Sequence, residues 1–383
     1  MRVLTIVSKL DIGGIEKTLL SCLPFLKKEA IQLTICCYAK GGHLEQQYKD
    51  AGTEIIYFKR SKIPFNDAVQ LYKILKSGKY DVVHSRFGFT SGGFALACKR
   101  LSIPFIVSVH SERYFAKPKR ENSRLLSAVT QAYLDLHKRL TLRYATRIIG
   151  HSKTNLQYYT QGNPNAASDK FQLIYNGIDF TKLAGNSPAL GDEAAQFVAD
   201  SNCTFLHIGS FREPKNHLYL IDCFKALNPL KEKYKLILVG NGSLFEQVKK
   251  KVMLEGLDSC VFFAGIDQNI TKYLLIADLF FFPSIYEGLG NVLIEAQYMK
   301  VPVCASGLQP HHEATHEYYH QYFFDPYDIQ DGCNKLQNII RNIRERKIGE
   351  EVTTRAQEFV MNNFTIERMA GNLATVYKTI GSR

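Results

Sequence analysis

No stretch of the sequence holds the roughly 18 consecutive apolar residues that a membrane-spanning helix needs, so none is expected. The apolar run 3–7 is cut short by Lys9 and Asp11 and does not read as a signal peptide. Nine cysteines include no Cys-x-x-Cys pair and no zinc spacing. Buried free thiols in a reducing compartment account for them, and a disulfide or metal framework is not expected. G-x-G-x-x-G is absent, which excludes the dinucleotide fingerprint. Tryptophan is missing too, but that excludes nothing.

Acidic residues are scarce in one half only. Residues 1–180 hold 27 Lys and Arg against 13 Asp and Glu, a net +14; residues 181–383 hold 21 against 23, a net −2. A basic first half implies an anionic partner. Nucleic acid is not expected, because the basic stretch carries no recognised reading module. That stretch spans 112–147, where Arg113, Lys117, Lys119, Arg120, Arg124, Lys138, Arg139, Arg143 and Arg147 meet only Glu112, Glu121 and Asp135. Tyr114, Phe115, Leu125, Leu126, Tyr133 and Leu136 are interleaved. It reads either as a membrane-surface element or as a solvated basic helix with an ordinary core face. Lys117, Lys119 and Arg120 are the cations expected on an anionic membrane or acceptor side.

What is present is a length of 383 residues, 45% hydrophobic and 22% charged, enough for two soluble domains. Strand-like runs at 2–7, 32–38, 54–58, 82–84, 105–110, 147–150 and 171–175 alternate with helical stretches such as 67–77 and 91–100. This predicts a mostly parallel sheet covered on both faces, with ligands at the carboxyl ends of its strands. Pro24 is expected to kink or end the first helix. Residues 181–202 read as a linker with a short helix at most. A second alternating series starts at Thr204, and the tail 350–380 reads as two helices broken near 362–365.

The most informative stretch is 279–299. Leu279, Phe280, Phe281 and Phe282 form a short buried strand, ended by Pro283 and Ser284. Glu287 lies in a turn that Gly288 and Gly290 free to bend, and Val292, Leu293, Ala296 and Met299 follow at helical spacing. A helix starting near Gly290 aims the free N–H groups of Asn291 and Val292 at the turn, an anion site, with Glu295 in the same crevice. A fixed carboxylate beside a diphosphate site accepts hydrogen bonds from sugar hydroxyls and stabilises a developing oxocarbenium ion. Arg212 and Lys215, on the loop before another helix, suit a leaving diphosphate. His84 and His110 end strands on the ligand side.

Glu287-Gly-Leu-Gly…Glu295 resembles the Glu-x7-Glu signature of retaining glycosyltransferases of family four. Gly13-Gly14 resembles that family's glycine loop toward the donor diphosphate, and Asn176-Gly-Ile-Asp179 its turn before the interdomain linker. The family usually has Arg where Ser210 stands, with Arg212 the displaced replacement; Asn241 and Ser243 also depart from its pattern. The resemblance covers nearly the whole chain and implies the GT-B fold, two Rossmann-like doubly wound α/β domains facing a central cleft. It implies an N-terminal domain at 1–180, a linker at 181–202, a donor domain at 203–364 and a helix at 365–383 returning to the first domain.

On this basis Glu287, His110, Lys215 and Arg212 are the expected catalytic residues. Gly13, Gly14, Gly240, Ile266, Gly288, Gly290, Asn291, Val292 and Glu295 join Arg212, Lys215 and Glu287 in binding a nucleotide sugar, and His84 lies on the acceptor side. The expected reaction moves a sugar, such as a UDP-linked hexose or N-acetylhexosamine, to a saccharide or lipid-linked acceptor with retention. No metal or other cofactor is expected, since two cations can replace a divalent ion. The expected place is cytoplasmic, on the inner face of the membrane. A nucleotide-sugar epimerase, a glycosidase or an inactive basic scaffold are the alternatives.

Overall fold

A computed structural model describes residues 1–11, 13–59, 65–110, 124–160, 169–185 and 192–381. Lys117, Lys119 and Arg120 lie outside the described residues. The chain forms two compact units, Met1–Gly177 with Ile366–Arg383, and Ile178–Thr365.

The first unit carries β1 (Arg2–Lys9), β2 (Gln32–Ala39), β3 (Glu54–Tyr57), β4 (Val82–Ser85), β5 (Phe105–Val109), β6 (Arg147–Gly150) and β7 (Phe171–Leu173). They make one seven-stranded sheet in the order β3-β2-β1-β4-β5-β6-β7, parallel throughout. Alternate residues feed two cores, which is why the strands read as near-continuous apolar runs. Val3, Val7, Val82, Ile106 and Ile149 face the helices Gly14–Lys28 and Ile366–Gly381. Leu4, Ile6, Val83, Val107 and Ile148 face Asn66–Ser77 and Gly92–Arg100 on the other side. The helix Ile366–Gly381 buries Ile366, Met369, Ala370, Leu373, Tyr377 and Ile380, a single stripe at helical spacing.

Pro24 neither ends nor breaks the first helix, which runs on to Lys28. Pro24 costs that helix one internal hydrogen bond, and burial of Leu23 and Leu26 against the sheet offsets the loss.

The second unit carries β8 (Cys203–Ile208), β9 (Tyr234–Val239), β10 (Val261–Gly265), β11 (Leu279–Phe282) and β12 (Val303–Ala305). Its parallel sheet has the order β10-β9-β8-β11-β12. In both units the order reverses beside the first strand, between β1 and β4 and between β8 and β11. Such a switch point opens a crevice at the carboxyl ends, where ligands bind. Among the described residues of 181–202 the helices Phe180–Gly185 and Asp192–Val198 take up most of the chain, and Phe180 stacks on Tyr298 at 4.3 Å. All nine cysteines are buried and free.

Glycine closes the carboxyl ends of the second sheet. Gly240 has φ +138°, and a Cβ there would lie 2.0 Å from the Gly209 carbonyl oxygen. Gly240→Ala is therefore expected to cost about 1–3 kcal/mol of stability, read as a lowered denaturation midpoint; an unchanged midpoint would show that this approach is not constrained.

Candidate active site

The turn after β8 carries Lys215 in the short helix Glu213–Lys215, and the turn after β11 carries Glu287. The Ile285 amide donates to the Pro214 carbonyl at 2.9 Å and ties the two turns together. Lys215 Nζ then forms an ion pair with Glu287 Oε1, to which Ser284 Oγ also donates at 3.0 Å. Lys215 Nζ sits 4.7 Å from the centre of the Phe282 ring, a cation–π contact. The side chains are 20% and 14% exposed, so the pair is largely desolvated yet reachable. Gly209 makes room for it, since a Cβ would press on the Lys215 stem at 3.2 Å.

Gly290, at φ +88°, caps the helix Asn291–Tyr298. Its left-handed backbone sets the sharp entry that glycine allows, and the first amides of a helix have no partner within it. Val292 and Glu295 are half-buried on this helix. Gly240 N donates to the Gly265 carbonyl at 2.7 Å, which holds the ends of β9 and β10 together. Ile266, one residue on, is 72% exposed, an apolar side chain at the strand end. Arg212 starts the Lys215 turn but is exposed, and among the described residues it makes no ion pair.

Histidines that the sequence reading passed over lie beneath this site. His311 is fully buried and donates from Nδ1 to the Ser306 carbonyl at 2.8 Å, with its ring against Phe282 and Gly290. Burial lowers its pKa to about 4, against the opposing pull of the Glu287 carboxylate. His207 donates from Nδ1 to the Phe281 carbonyl at 3.0 Å, and burial holds its pKa well below the usual value. His217 is lowered to about 3, by burial and then by Lys215. All three are neutral near pH 7, which leaves Lys215 as the cation against Glu287. A separate cavity of about 420 Å³, lined by Tyr234, Arg341 and Arg344, opens at the start of β9, away from these turns.

In the first unit Gly13 caps the helix Gly14–Lys28. A Cβ there would meet only the Glu16 carboxylate, the mobile end of a side chain, at 2.3 Å. His84 is not on an acceptor surface. It is fully buried, with Nδ1 2.7 Å from the Tyr377 hydroxyl and Nε2 2.9 Å from Ser108 Oγ, so both ring nitrogens are occupied. His110 follows β5 directly and stacks on His151 at 4.2 Å. Its Nε2 is buried without a protein partner, and burial holds its pKa well below the usual value. Among the described residues no group of three His, Cys, Asp or Glu side chains could hold a metal ion. None of the described helices is long and apolar enough to cross a membrane.

Comparison with known proteins agrees with this fold. The model for "Glycosyltransferase Family 4" matches residues 12–182, and that for "Glycosyl transferases group 1" matches residues 193–355. The chain thus pairs a Glycosyltransferase Family 4 domain with a Glycosyl transferases group 1 domain, and its two doubly wound units are those of the GT-B fold. It is 26% identical over 311 residues to the putative glycosyltransferase EpsF of Bacillus subtilis, covering 80% of this chain and 79% of that one. It is 21% identical over 377 residues to the UDP-Gal:alpha-D-GlcNAc-diphosphoundecaprenol alpha-1,3-galactosyltransferase of Escherichia coli, covering 96% and 94%. Among solved structures, Anabaena HepE in complex with UDP-glucose superposes with a TM-score of 0.78 at 19% identity, over 99% of this chain and all of that one.

The buried neutral histidines make stability depend on pH. The folded pKa of His311 lies below its unfolded value, so as pH falls the unfolded chain takes up the proton first. The stabilising contribution is full above about pH 6.5 and is lost toward about pH 4. Between pH 7.5 and 5 this single group is expected to cost on the order of 2 kcal/mol. Denaturant titrations at both pH values check it: His311→Asn should show a shallower pH dependence than the native protein, and an unchanged slope would contradict the assignment.

Proposed function

We propose that the protein moves a sugar from a UDP-linked donor, a hexose or N-acetylhexosamine, to a saccharide or lipid-linked acceptor, with retention at the anomeric carbon. The process it serves is cell-surface polysaccharide or lipopolysaccharide biosynthesis. The observation that carries this reading is the half-buried Lys215–Glu287 pair at the switch point of the second unit, beside the start of the helix Asn291–Tyr298. A cation, a carboxylate and free helix amides together suit a sugar diphosphate. The Escherichia coli relative's name supports the donor and acceptor classes, since it specifies UDP-Gal and a diphosphoundecaprenol-linked sugar; HepE binds UDP-glucose.

In this reading Lys215, Arg212 and the amides of Asn291 and Val292 neutralise charge on the departing diphosphate. Glu287 holds the donor sugar and stabilises its oxocarbenium-like state. Glu295 binds the ribose, and Ile266 with Gly240 borders the base. Gly13 and Gly14 form a second anion-binding turn, and His110, neutral, orients a sugar hydroxyl or the acceptor. The bond from the anomeric carbon to the diphosphate breaks, and the acceptor oxygen bonds to that carbon on the same face. Its proton passes to the departing phosphate oxygen. The two cations take the place of a divalent ion. Incubation with a panel of nucleotide sugars and candidate acceptors, with and without a chelator, tests this. Released UDP and an axial anomeric product by NMR are expected in both conditions. Release of another nucleotide, inversion, or loss of activity rescued by magnesium would each overturn the corresponding part.

Glu287→Gln is expected to lower turnover more than nucleotide affinity, because its carboxylate acts on the sugar. Glu295→Gln should weaken UDP itself, because its partner is the ribose. Calorimetry with UDP beside steady-state rates separates the two, and the reverse order would mean the roles are exchanged.

The first unit is proposed to dock reversibly on the anionic inner face of the cell membrane. Its helix Arg124–Tyr144 exposes Val129, Tyr133 and Leu136 at 59%, 40% and 45%, next to exposed Lys138, Arg139 and Arg143. Each cation near such a surface contributes about 1 kcal/mol, screened within a Debye length. Sedimentation should show binding to anionic vesicles that salt reverses and that Lys138→Glu with Arg139→Glu weakens. Equal binding to neutral vesicles would assign the charge asymmetry to another cause.

A further inference from the structure

Arg86 has an arrangement that folding alone does not explain. Among the described residues no other Lys, Arg, Asp or Glu is buried, and Arg86 is only 8% exposed. Its Nη1 donates to Ser108 Oγ at 3.3 Å and the guanidinium lies beside the Tyr377 hydroxyl, but Nε and Nη2 are buried without a well-aligned hydrogen bond. Burial raises the pKa of Glu16, and Arg86 opposes that only weakly from a distance, with no ion pair between them. A buried guanidinium left in this way is costly unless something else meets its charge.

The strand register shows what surrounds it. Side chains alternate along a strand, so Val82, His84 and Arg86 point to one face, as do Ile106, Ser108 and His110, and Ile149 and His151. Pairing of His84 with Ile106 and of Ser108 with Ile149 puts Arg86 level with Ser108, and His110 level with His151. Arg86, His110 and His151 are each the first residue past β4, β5 and β6. They form a row across the carboxyl ends, on the face covered by the C-terminal helix and starting at the switch point. His110 Nε2 and His151 Nε2 are also buried and unpartnered. His151 Nδ1 donates to the Ile174 carbonyl at 2.7 Å, so its Nε2 is left with a lone pair that accepts a hydroxyl proton. Arg86 itself is held by the relay Tyr377–His84–Ser108. The row therefore offers a forked cation, which matches phosphate oxygens, next to an acceptor for O–H.

We propose that Arg86, His110 and His151 form a subsite for a sugar phosphate, with the phosphoryl group on the Arg86 guanidinium and a sugar hydroxyl donating to His151 Nε2. The ligand is the glycosyl phosphate portion of the acceptor, and only that last assignment rests on the glycosyltransferase reading. A phosphoryl group could also come from the donor nucleotide, so the test treats the two separately.

Calorimetric titration of the full-length protein with N-acetylglucosamine 1-phosphate, and separately with UDP, tests the site. The native protein is expected to bind the sugar phosphate. Arg86→Gln should weaken it at least tenfold, Arg86→Lys less, and both should leave UDP affinity within twofold. His151→Phe should weaken the sugar phosphate but not inorganic phosphate. Circular dichroism establishes folding, and Arg86→Lys carries the comparison if the Gln variant does not fold. No binding to the native protein, undiminished binding in the Arg86 variants, or an equal loss of UDP affinity would overturn the proposal. Failure here with nucleotide-sugar turnover intact leaves the proposed function standing; sugar-phosphate binding without such turnover leaves the site standing and removes its role in transfer.

Discussion

The ion pair between Lys215 and Glu287 is the constraint on which the geometry of the second unit's strand-end turns depends. Removing one partner from a buried pair costs about 3–5 kcal/mol, because the other charge is left desolvated. Everything nearby is arranged around that condition. The Ile285–Pro214 hydrogen bond fixes the separation of the two turns, Gly209 admits the lysine stem, and Ser284 supplies Glu287 with a further donor. The pair holds the site close to neutral until a ligand brings its own negative charge. In the proposed reading a diphosphate would then give Lys215 a new partner, and sugar hydroxyls would give Glu287 one, so neither charge would be stranded when they part.

Neutral histidines complete the arrangement. His207, His217 and His311 pack under the pair without adding charge, because burial lowers each pKa. In the first unit His84 and Ser108 link Tyr377 of the C-terminal helix to Arg86. Buried polar networks of this kind are stable when every member is satisfied, and the incomplete members, Arg86, His110 and His151, are those at the strand ends.

Much of this was legible in the sequence because its signals are local. Apolar runs bounded by glycine, proline and serine marked the strands, and most of their bounds lie within a residue or two of the structure. Glu287, Gly290 and Lys215 stood out because each follows a strand or opens a helix. Arg86 and His311 did not, because their meaning comes from contacts distant in sequence. Arg86 needs the register of β4, β5 and β6, and His311 needs the fold to bring Gly290 over it. His84 misled for the same reason: its partner Tyr377 lies 293 residues away, and nothing near His84 announces that it is buried. Pro24 misled because local propensity gave way to the packing of Leu23 and Leu26.

The central claim is that Lys215 and Glu287 act as one unit on a nucleotide sugar. A double-mutant cycle on kcat/KM for nucleotide release, with Lys215→Met, Glu287→Gln and both together, tests it most directly. The account predicts that each single change costs about 2.7–4 kcal/mol of transition-state stabilisation and that the double variant loses little more than either. Native kcat/KM in either single variant, or losses that simply add, would contradict it.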